Sequence, residues 1–245
     1  MKLLEVQGLR KTYPAFRLED VSFSVPEGAV MGLIGRNGAG KSTTLKSILG
    51  LVHPDAGRVE MFGREFSENE RYIKENIGVV LGGIDFYPKK KVRTITDVTR
   101  RFYSNWQEEK YRHYLDLFAI DENKRVDQLS SGMRVKYLLA LALSHNARLL
   151  ILDEPTSGLD PVSRDELAEL LRRIAADGTR SVLFSTHITS DLEKCASHIA
   201  FIQEGRLQRS DTLAGFMAHY ADLGSTLEEI IVAAERRPYD ADAII

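Results

Sequence analysis

What the sequence has little of narrows its class first. One of its 245 residues is cysteine, Cys195. No intramolecular disulfide framework can form, and the usage fits a reducing compartment. As a single thiol, Cys195 is expected to be a small buried hydrophobe. No apolar run approaches the ~18–20 residues that cross a bilayer. The opening Met1-Lys2-Leu3-Leu4-Glu5-Val6 lacks a signal-peptide apolar stretch. The chain is therefore expected to be soluble and cytoplasmic, with any membrane role exercised through a partner. Charge of one sign is also missing: 33 basic against 35 acidic side chains leaves −2. That balance projects no strong field toward DNA, RNA or anionic lipid, and no nucleic-acid partner is expected. There is no internal repeat, no low-complexity tract and no sustained heptad pattern.

What is present is 43% hydrophobic, enough for one large α/β domain with an appended lobe. Apolar runs predict strands at Leu3–Val6, Val21–Val25, Val30–Ile34, Val59–Phe62, Ile77–Leu81, Leu149–Leu152, Ser181–Ser185 and Ile199–Gln203. Four of these, at 30–34, 149–152, 181–185 and 199–203, are dense in Val, Ile and Leu without clean alternation, as in strands covered on both faces. Helical patterns lie between them at 41–50, 132–144, 163–176 and 190–196, which argues a layered α/β core. Residues 88–140 differ. Ile95–Tyr103 and Glu108–Phe118 are amphipathic and helical, so a helical lobe is expected there, inserted between core segments 1–87 and 141–215. Lys89-Lys90-Lys91 at its start is expected to be solvated. Residues 216–245 form a short extension whose helix, Leu227–Ala234, is broken at Arg236-Arg237-Pro238.

The densest signal is Gly35-Arg36-Asn37-Gly38-Ala39-Gly40-Lys41-Ser42. It fits the phosphate-loop pattern G-x-x-x-x-G-K-[ST] at each fixed position, between a predicted strand and a predicted helix. Gly35, Gly38 and Gly40 permit backbone conformations that a Cβ would block. Successive N–H groups, Asn37 and Thr43 among the residues that present them, can then face one concave anion site. The helix N-terminus adds partial positive charge. Lys41 carries an ammonium toward β/γ-phosphates, and the Ser42 hydroxyl suits Mg²⁺.

A second strand, Leu149–Leu152, runs into Asp153-Glu154-Pro155. It delivers two carboxylates to the sheet's C-terminal edge, where open α/β sheets bind ligands. Asp153 can hold Mg²⁺ directly or through water. Glu154 can polarise an attacking water as general base.

With these motifs the chain resembles the ATP-binding-cassette (ABC) ATPases over about residues 1–210. Leu129-Ser130-Ser131-Gly132-Met133 resembles their signature L-S-G-G-Q. Asp153 to Asp160 resembles the Walker B motif running into the D-loop, and Ser185-Thr186-His187 the switch histidine. Tyr13, after Lys11-Thr12, stands where the family stacks an aromatic ring on adenine. The resemblance implies an α/β fold: a P-loop NTPase (RecA-like) core with an antiparallel β subdomain and the inserted helical subdomain. It implies ATP and Mg²⁺ as ligands. It also implies a composite site, in which Ser130, Ser131 and Gly132 of one chain meet the γ-phosphate held by a second. Asp160 would cross that interface, and His187 would sense the γ-phosphate and orient water with Glu154. The implied partners are a second ATPase subunit, identical or a paralogue, and an integral-membrane permease that holds the chain at the cytoplasmic face of the membrane.

The chain departs from the family pattern at three places. Ser131 replaces a glycine and Met133 a glutamine in the signature. Gly82 stands where a glutamine usually touches Mg²⁺ and couples to the membrane partner; either neighbours such as Asp85 and Phe86 carry that coupling, or hydrolysis depends more on Glu154 and His187. With Tyr103-Ser104-Asn105-Trp106 and Phe184–Glu193, these departures resemble ATPase subunits of small bacterial ABC-2-type exporters, some of which export peptide antibiotics or phenol-soluble modulins. Two other classes are weighed. A non-transport ABC ATPase, as in iron–sulfur assembly, is also a single cassette; DNA-repair and translation relatives carry coiled coils or paired cassettes that are missing here. A nucleotide kinase or GTPase would share only the phosphate loop.

Overall fold

The structure, a computed structural model, describes residues 1–81 and 87–236. Its strands are β1 (Lys2–Tyr13), β2 (Phe16–Pro26), β3 (Val30–Ile34), β4 (Ala56–Met61), β5 (Arg64–Glu65), β6 (Ile77–Leu81), β7 (Leu149–Asp153), β8 (Ser181–Thr186), β9 (His198–Gln203) and β10 (Arg206–Thr212). They form one sheet in the order β5-β4-β1-β2-β10-β9-β3-β8-β7-β6. The β9-β3-β8-β7-β6 block is parallel. The β5-β4-β1-β2 block is antiparallel. The blocks join through β10, which runs antiparallel to β9 and touches β2 at one pair, Arg206 and Glu19. This is the α/β architecture that the resemblance implies.

Every residue of β3, β7 and β8 is buried. That is why their sequences are continuously apolar: helices cover both faces of the parallel block. The helices are α1 (Lys41–Ile48), α2 (Phe66–Asn76), α3 (Val92–Thr99), α4 (Glu108–Leu117), α5 (Ser131–Ser144), α6 (Pro161–Ala175), α7 (Thr189–Cys195), α8 (Leu213–His219) and α9 (Leu227–Glu235). One core lies on the α1 side of the sheet, with Leu33, Leu45, Ile48 and Ile151. The other lies under α5 to α9, with Leu152, Leu171, Phe184 and Leu192. A third fills the helical lobe around Val92, Tyr111, Leu115 and Tyr137. α5 serves both lobe and core: Tyr137 and Leu141 belong to the lobe cluster, Leu139 and Leu143 to the core cluster. The lobe helices are tied by one buried hydroxyl. Thr96 Oγ1 lies 2.7 Å from the Tyr111 hydroxyl and 2.9 Å from that of Tyr137, which donates to the Val92 carbonyl at 3.1 Å.

Several elements exceed the apolar runs that predict them. β1 continues to Tyr13 and β2 begins at Phe16, through polar residues that face outward and register shifts near Gly8. β10 and α2 are too polar to signal themselves: β10 has no fully buried residue, and α2 buries only Ile73. α8 caps its own start through Thr212 and buries only Phe216. Cys195 is buried, with Sγ 3.2 Å from the Asp191 carbonyl, and burial pushes its thiol up to about 12. An inert packing thiol fits that environment. Among the described residues no helix is long and apolar enough to cross a membrane.

His145 closes α5 and is 2% exposed, its ring stacked on Tyr103 at 3.7 Å. Desolvation lowers its pKa from 6.5 to about 4, against a smaller opposing pull from nearby backbone, that of Glu75 first. Between those values the unfolded chain binds a proton that the folded one refuses. Stability therefore falls as pH drops from 6.5 toward 4, by about 3 kcal/mol in full. His145→Phe keeps the stack and removes the titration. Urea unfolding at pH 7 and pH 4.5 should show a smaller acid loss in that variant than in the parent; equal losses would remove His145 as the acid-sensitive group.

Candidate active site

β3, β8 and β7 lie side by side and parallel, so their C-terminal ends share one edge. Ile34 pairs with Thr186, and Ser185 with Asp153. The phosphate loop leaves β3, Glu154 leaves β7, and His187 leaves β8. The loop, more than a hundred residues away in sequence, is thereby brought beside two segments that are themselves 33 positions apart.

The loop itself is built on two left-handed glycines, Gly38 at φ 84° and Gly40 at φ 113°. Gly35 has a different reason. Its φ is ordinary, but a Cβ there would sit 2.2 Å from the Ile202 carbonyl oxygen of β9. Gly40 leads into α1, whose start has no side-chain cap and no acidic residue. The first-turn N–H groups of Lys41, Ser42 and Thr43 are thus left for a ligand.

Lys41 is buried at 4% exposure. Its ammonium donates to the Gly35 carbonyl at 2.8 Å and the Arg36 carbonyl at 3.2 Å, and lies 3.2 Å from Glu154 Oε1. Its three N–H donors are matched by three oxygens. Glu154 Oε2 in turn lies 2.7 Å from His187 Nδ1. An ionised carboxylate only accepts, so the imidazole donates. One carboxylate thus connects Lys41 to His187. Glu154 holds a left-handed φ of 50°, a strained backbone for a side-chain-bearing residue. Its N–H is fixed by Ser185 Oγ at 2.9 Å.

Asp153 is 7% exposed, and its Oδ1 accepts from Ser185 Oγ at 2.6 Å and Ser42 Oγ at 3.0 Å. Ser185 is fully buried and links both carboxylate residues. The sequence motif gave it no role; its only signal was its place beside Thr186-His187. Ser42 and Asp153 offer hard oxygen donors on adjacent elements. Among the described residues no cluster of three His, Cys, Asp or Glu side chains could hold a metal alone. That donor set fits Mg²⁺, which keeps waters and takes phosphate oxygens for its remaining positions.

A cleft of 450 Å³ surrounds the loop, lined by Ala15, Phe16, Asn37, Lys41, Thr43 and Glu154 among others. Phe16, across the β1–β2 hairpin from Tyr13, lines it. Tyr13 is 39% exposed at the same hairpin, with Lys11 Nζ 5.8 Å from its ring. Tyr13 itself does not line the cleft, whereas Phe16, which no motif position marks, does.

Ser130, Ser131, Gly132 and Asp160 do not line this cleft. Ser130 caps α5 by accepting from the Met133 N–H at 3.2 Å, so Met133 contributes its backbone where its side chain has no amide. Ser131 Oγ donates to the Gly158 carbonyl at 3.4 Å. Asp160 caps α6 through the N–H groups of Val162 and Ser163 and the Ser163 hydroxyl. Those bonds, the Ser163 hydroxyl first, hold its pKa below the usual carboxylate range. The signature and D-loop residues thus form a second cluster, joined to the first by the 154–160 segment. Gly82, Asp85 and Phe86 lie outside the described residues.

Comparison with known proteins identifies the family. Residues 18–157 match the ABC transporter family. Over 208 residues the chain is 32% identical to the bacitracin transport ATP-binding protein BcrA of Bacillus licheniformis, covering 84% of this chain and 68% of that one. It is 30% identical to the ABC transporter ATP-binding protein YtrB of Bacillus subtilis, covering 84% and 70%. Identity to a Nod factor export ATP-binding protein I of Burkholderia orbicola is 39%, covering 76% of this chain and 62% of the relative. Among solved structures, an ATP-binding subunit of an ABC transporter superposes with TM-score 0.84 at 28% identity, over 96% of this chain and 100% of that one. The dimeric cassette MJ0796 bound to ADP and Pi shares the fold, at TM-score 0.75 and 21% identity, over 86% of this chain and 98% of its own. The family match spans the phosphate loop, the signature helix and the Asp153-Glu154 pair, and the chain belongs to the ABC transporter family.

Proposed function

We propose that this chain is the ATP-binding and ATP-hydrolysing subunit of an exporter, and that two ATPase subunits close head to tail around ATP to drive a separate integral-membrane permease. The observation that carries it is the Lys41–Glu154–His187 junction at the shared end of β3, β7 and β8. A phosphate entering the loop takes over the Lys41 ammonium by displacing oxygens that it now holds, Glu154 Oε1 and the Arg36 carbonyl among them. Release from Lys41 leaves Glu154 oriented by His187 and by Ser185, with a carboxylate oxygen ready to accept a proton from water. Ser42 and Asp153 would hold Mg²⁺, which when bound supplies positive charge to the β/γ-phosphate oxygens. Tyr13 and Phe16 offer aromatic surface beside the cleft for adenine.

The separation of the signature cluster from the loop cleft supports a composite site. One chain carries Ser130, Ser131 and Gly132 on one cluster and the loop on another, so a second subunit, identical or a paralogue, completes each site. The bacitracin transport relative supports transport over an iron–sulfur-assembly role, and the Nod factor export relative supports the outward direction. The class of cargo is set by the permease, and the subunit works at the cytoplasmic face of the membrane.

Three variants test this reading. Lys41→Ala should weaken ATP binding and lower phosphate release by about a hundredfold or more. Turnover at the parent rate would remove the loop assignment. Glu154→Gln should still bind ATP, hydrolyse it about 10²–10⁴-fold more slowly, and accumulate a dimer. Light scattering after gel filtration with and without ATP–Mg²⁺ reads this directly; a variant that turns over normally takes Glu154 out of the base role. Tyr13→Ala should raise KM for ATP by about three- to tenfold with little change in maximal rate, whereas the opposite split in steady-state kinetics would argue against stacking.

A further inference from the structure

Glu235 closes α9 against local rules. It is 7% exposed, and burial pushes its carboxyl above the usual range. It sits at a helix C-terminus, where the macrodipole disfavours negative charge, in a last turn without a basic residue. Conflicts of this kind concentrate where a residue has a task.

The task is visible in its contacts. Glu235 Oε1 accepts from the Arg36 backbone N–H at 3.1 Å, and Oε2 lies 3.7 Å from Arg36 Nε. Arg36 is the second residue of the phosphate loop. Its carbonyl accepts from Lys41 Nζ at 3.2 Å and from the Ala39 N–H at 3.1 Å. The backbone at Arg36 is therefore held at its N–H by α9 and at its carbonyl by the loop itself. α9 is in turn anchored along its length. Gln203 Nε2, at the end of β9, donates to the Ala234 carbonyl at 3.1 Å. The Leu227 N–H donates to Glu193 Oε1 of α7 at 2.9 Å. Leu227 and Ile230 are fully buried, and Thr226 with Glu229 closes a capping box at the helix start. The helix spans from α7, which follows the switch histidine, to the loop. It lies beyond the residues that match the family, 18–157.

We propose that α9 is a strap on the phosphate loop, and that Glu235 is the positioning residue through which it sets nucleotide affinity. A phosphate that draws Lys41 from the Arg36 carbonyl withdraws one of the holds on that residue. Glu235 keeps the N–H side fixed, so the loop retains its concave shape without drawing that ordering from the binding energy. The inference rests on the reading of the loop as the ATP site.

The test is titration of a fluorescent ATP analogue against the parent, Glu235→Ala, Glu235→Gln and Lys41→Ala, with hydrogen exchange followed at the Arg36 amide. Glu235→Ala should raise Kd and KM together by about tenfold, with kcat changed by no more than about twofold. Its Arg36 amide should exchange faster. Glu235→Gln retains an acceptor for the Arg36 N–H and should bind within about twofold of the parent. A Glu235→Ala chain that melts lower yet binds with the parent's Kd would make the contact merely structural and overturn the proposal. So would a Gln variant as weak as the Ala variant. Should Glu235→Ala not fold, Glu235→Asp, which withdraws the carboxylate by one methylene, is held to the same results. Failure of the ATP-site reading looks different: the parent itself would bind no better than Lys41→Ala.

Discussion

The parallel register of β3, β8 and β7 is the constraint on which the rest depends. Side-chain direction alternates along a strand, so a slip of one residue in either pairing would turn Asp153 or Ser185 to the opposite face. The register is held by burial on both sides. All residues of the three strands are buried, and shifting one would seat side chains of the wrong size and shape in both cores. Packing energy spread over two cores thus fixes the position of four polar groups: the loop, Asp153, Glu154 and the turn carrying His187. The chemistry needs no strong local interaction of its own to assemble.

The polar groups then solve a charge problem together. A 4% exposed ammonium and a 7% exposed carboxylate would each be costly alone. Lys41 is matched by two carbonyls and Glu154, and Asp153 by the hydroxyls of Ser42 and Ser185. Because Ser185 also takes the Glu154 N–H, the two carboxylates are oriented through one hydroxyl group. Glu235 extends the same economy to the far side of the chain, with a carboxylate from the last described helix held by a backbone N–H of the first loop. Charges that oppose one another locally are kept by being shared between elements.

How much of this was legible in the sequence follows from the range of each interaction. The phosphate loop, Asp153-Glu154 and Ser185-Thr186-His187 are local patterns whose residue types are dictated by their own backbone, and the structure brings them to one edge. The dense Val/Ile/Leu runs gave the buried strands for the same reason. β10 and α2 escaped because polar residues in them carry no periodic apolar signal; their conformations are set by neighbours. Phe16, Ser185 and Glu235 escaped for another reason. Ser185 meets Asp153 across 32 positions and Arg36 meets Glu235 across 199, and no local pattern encodes a contact between such separate segments. Gly35 was expected for its conformation and is required for its lack of volume against β9. The same residue type answers a different physical demand.

α5 runs unbroken from Ser131 to Ser144, with its first turns in the helical lobe and its last in the core. At 1.5 Å per residue it is about 21 Å long. A rod of that length, gripped at one end by the sheet, is a lever. Tilting it by about 10° carries the Ser130 end through about 4 Å, more than the length of a hydrogen bond, while its gripped end shifts far less. The signature serines therefore sit at the end of α5 where a rotation of the lobe gives that helix its largest displacement. A few degrees at the core-facing end suffice to make or break contact with whatever faces them.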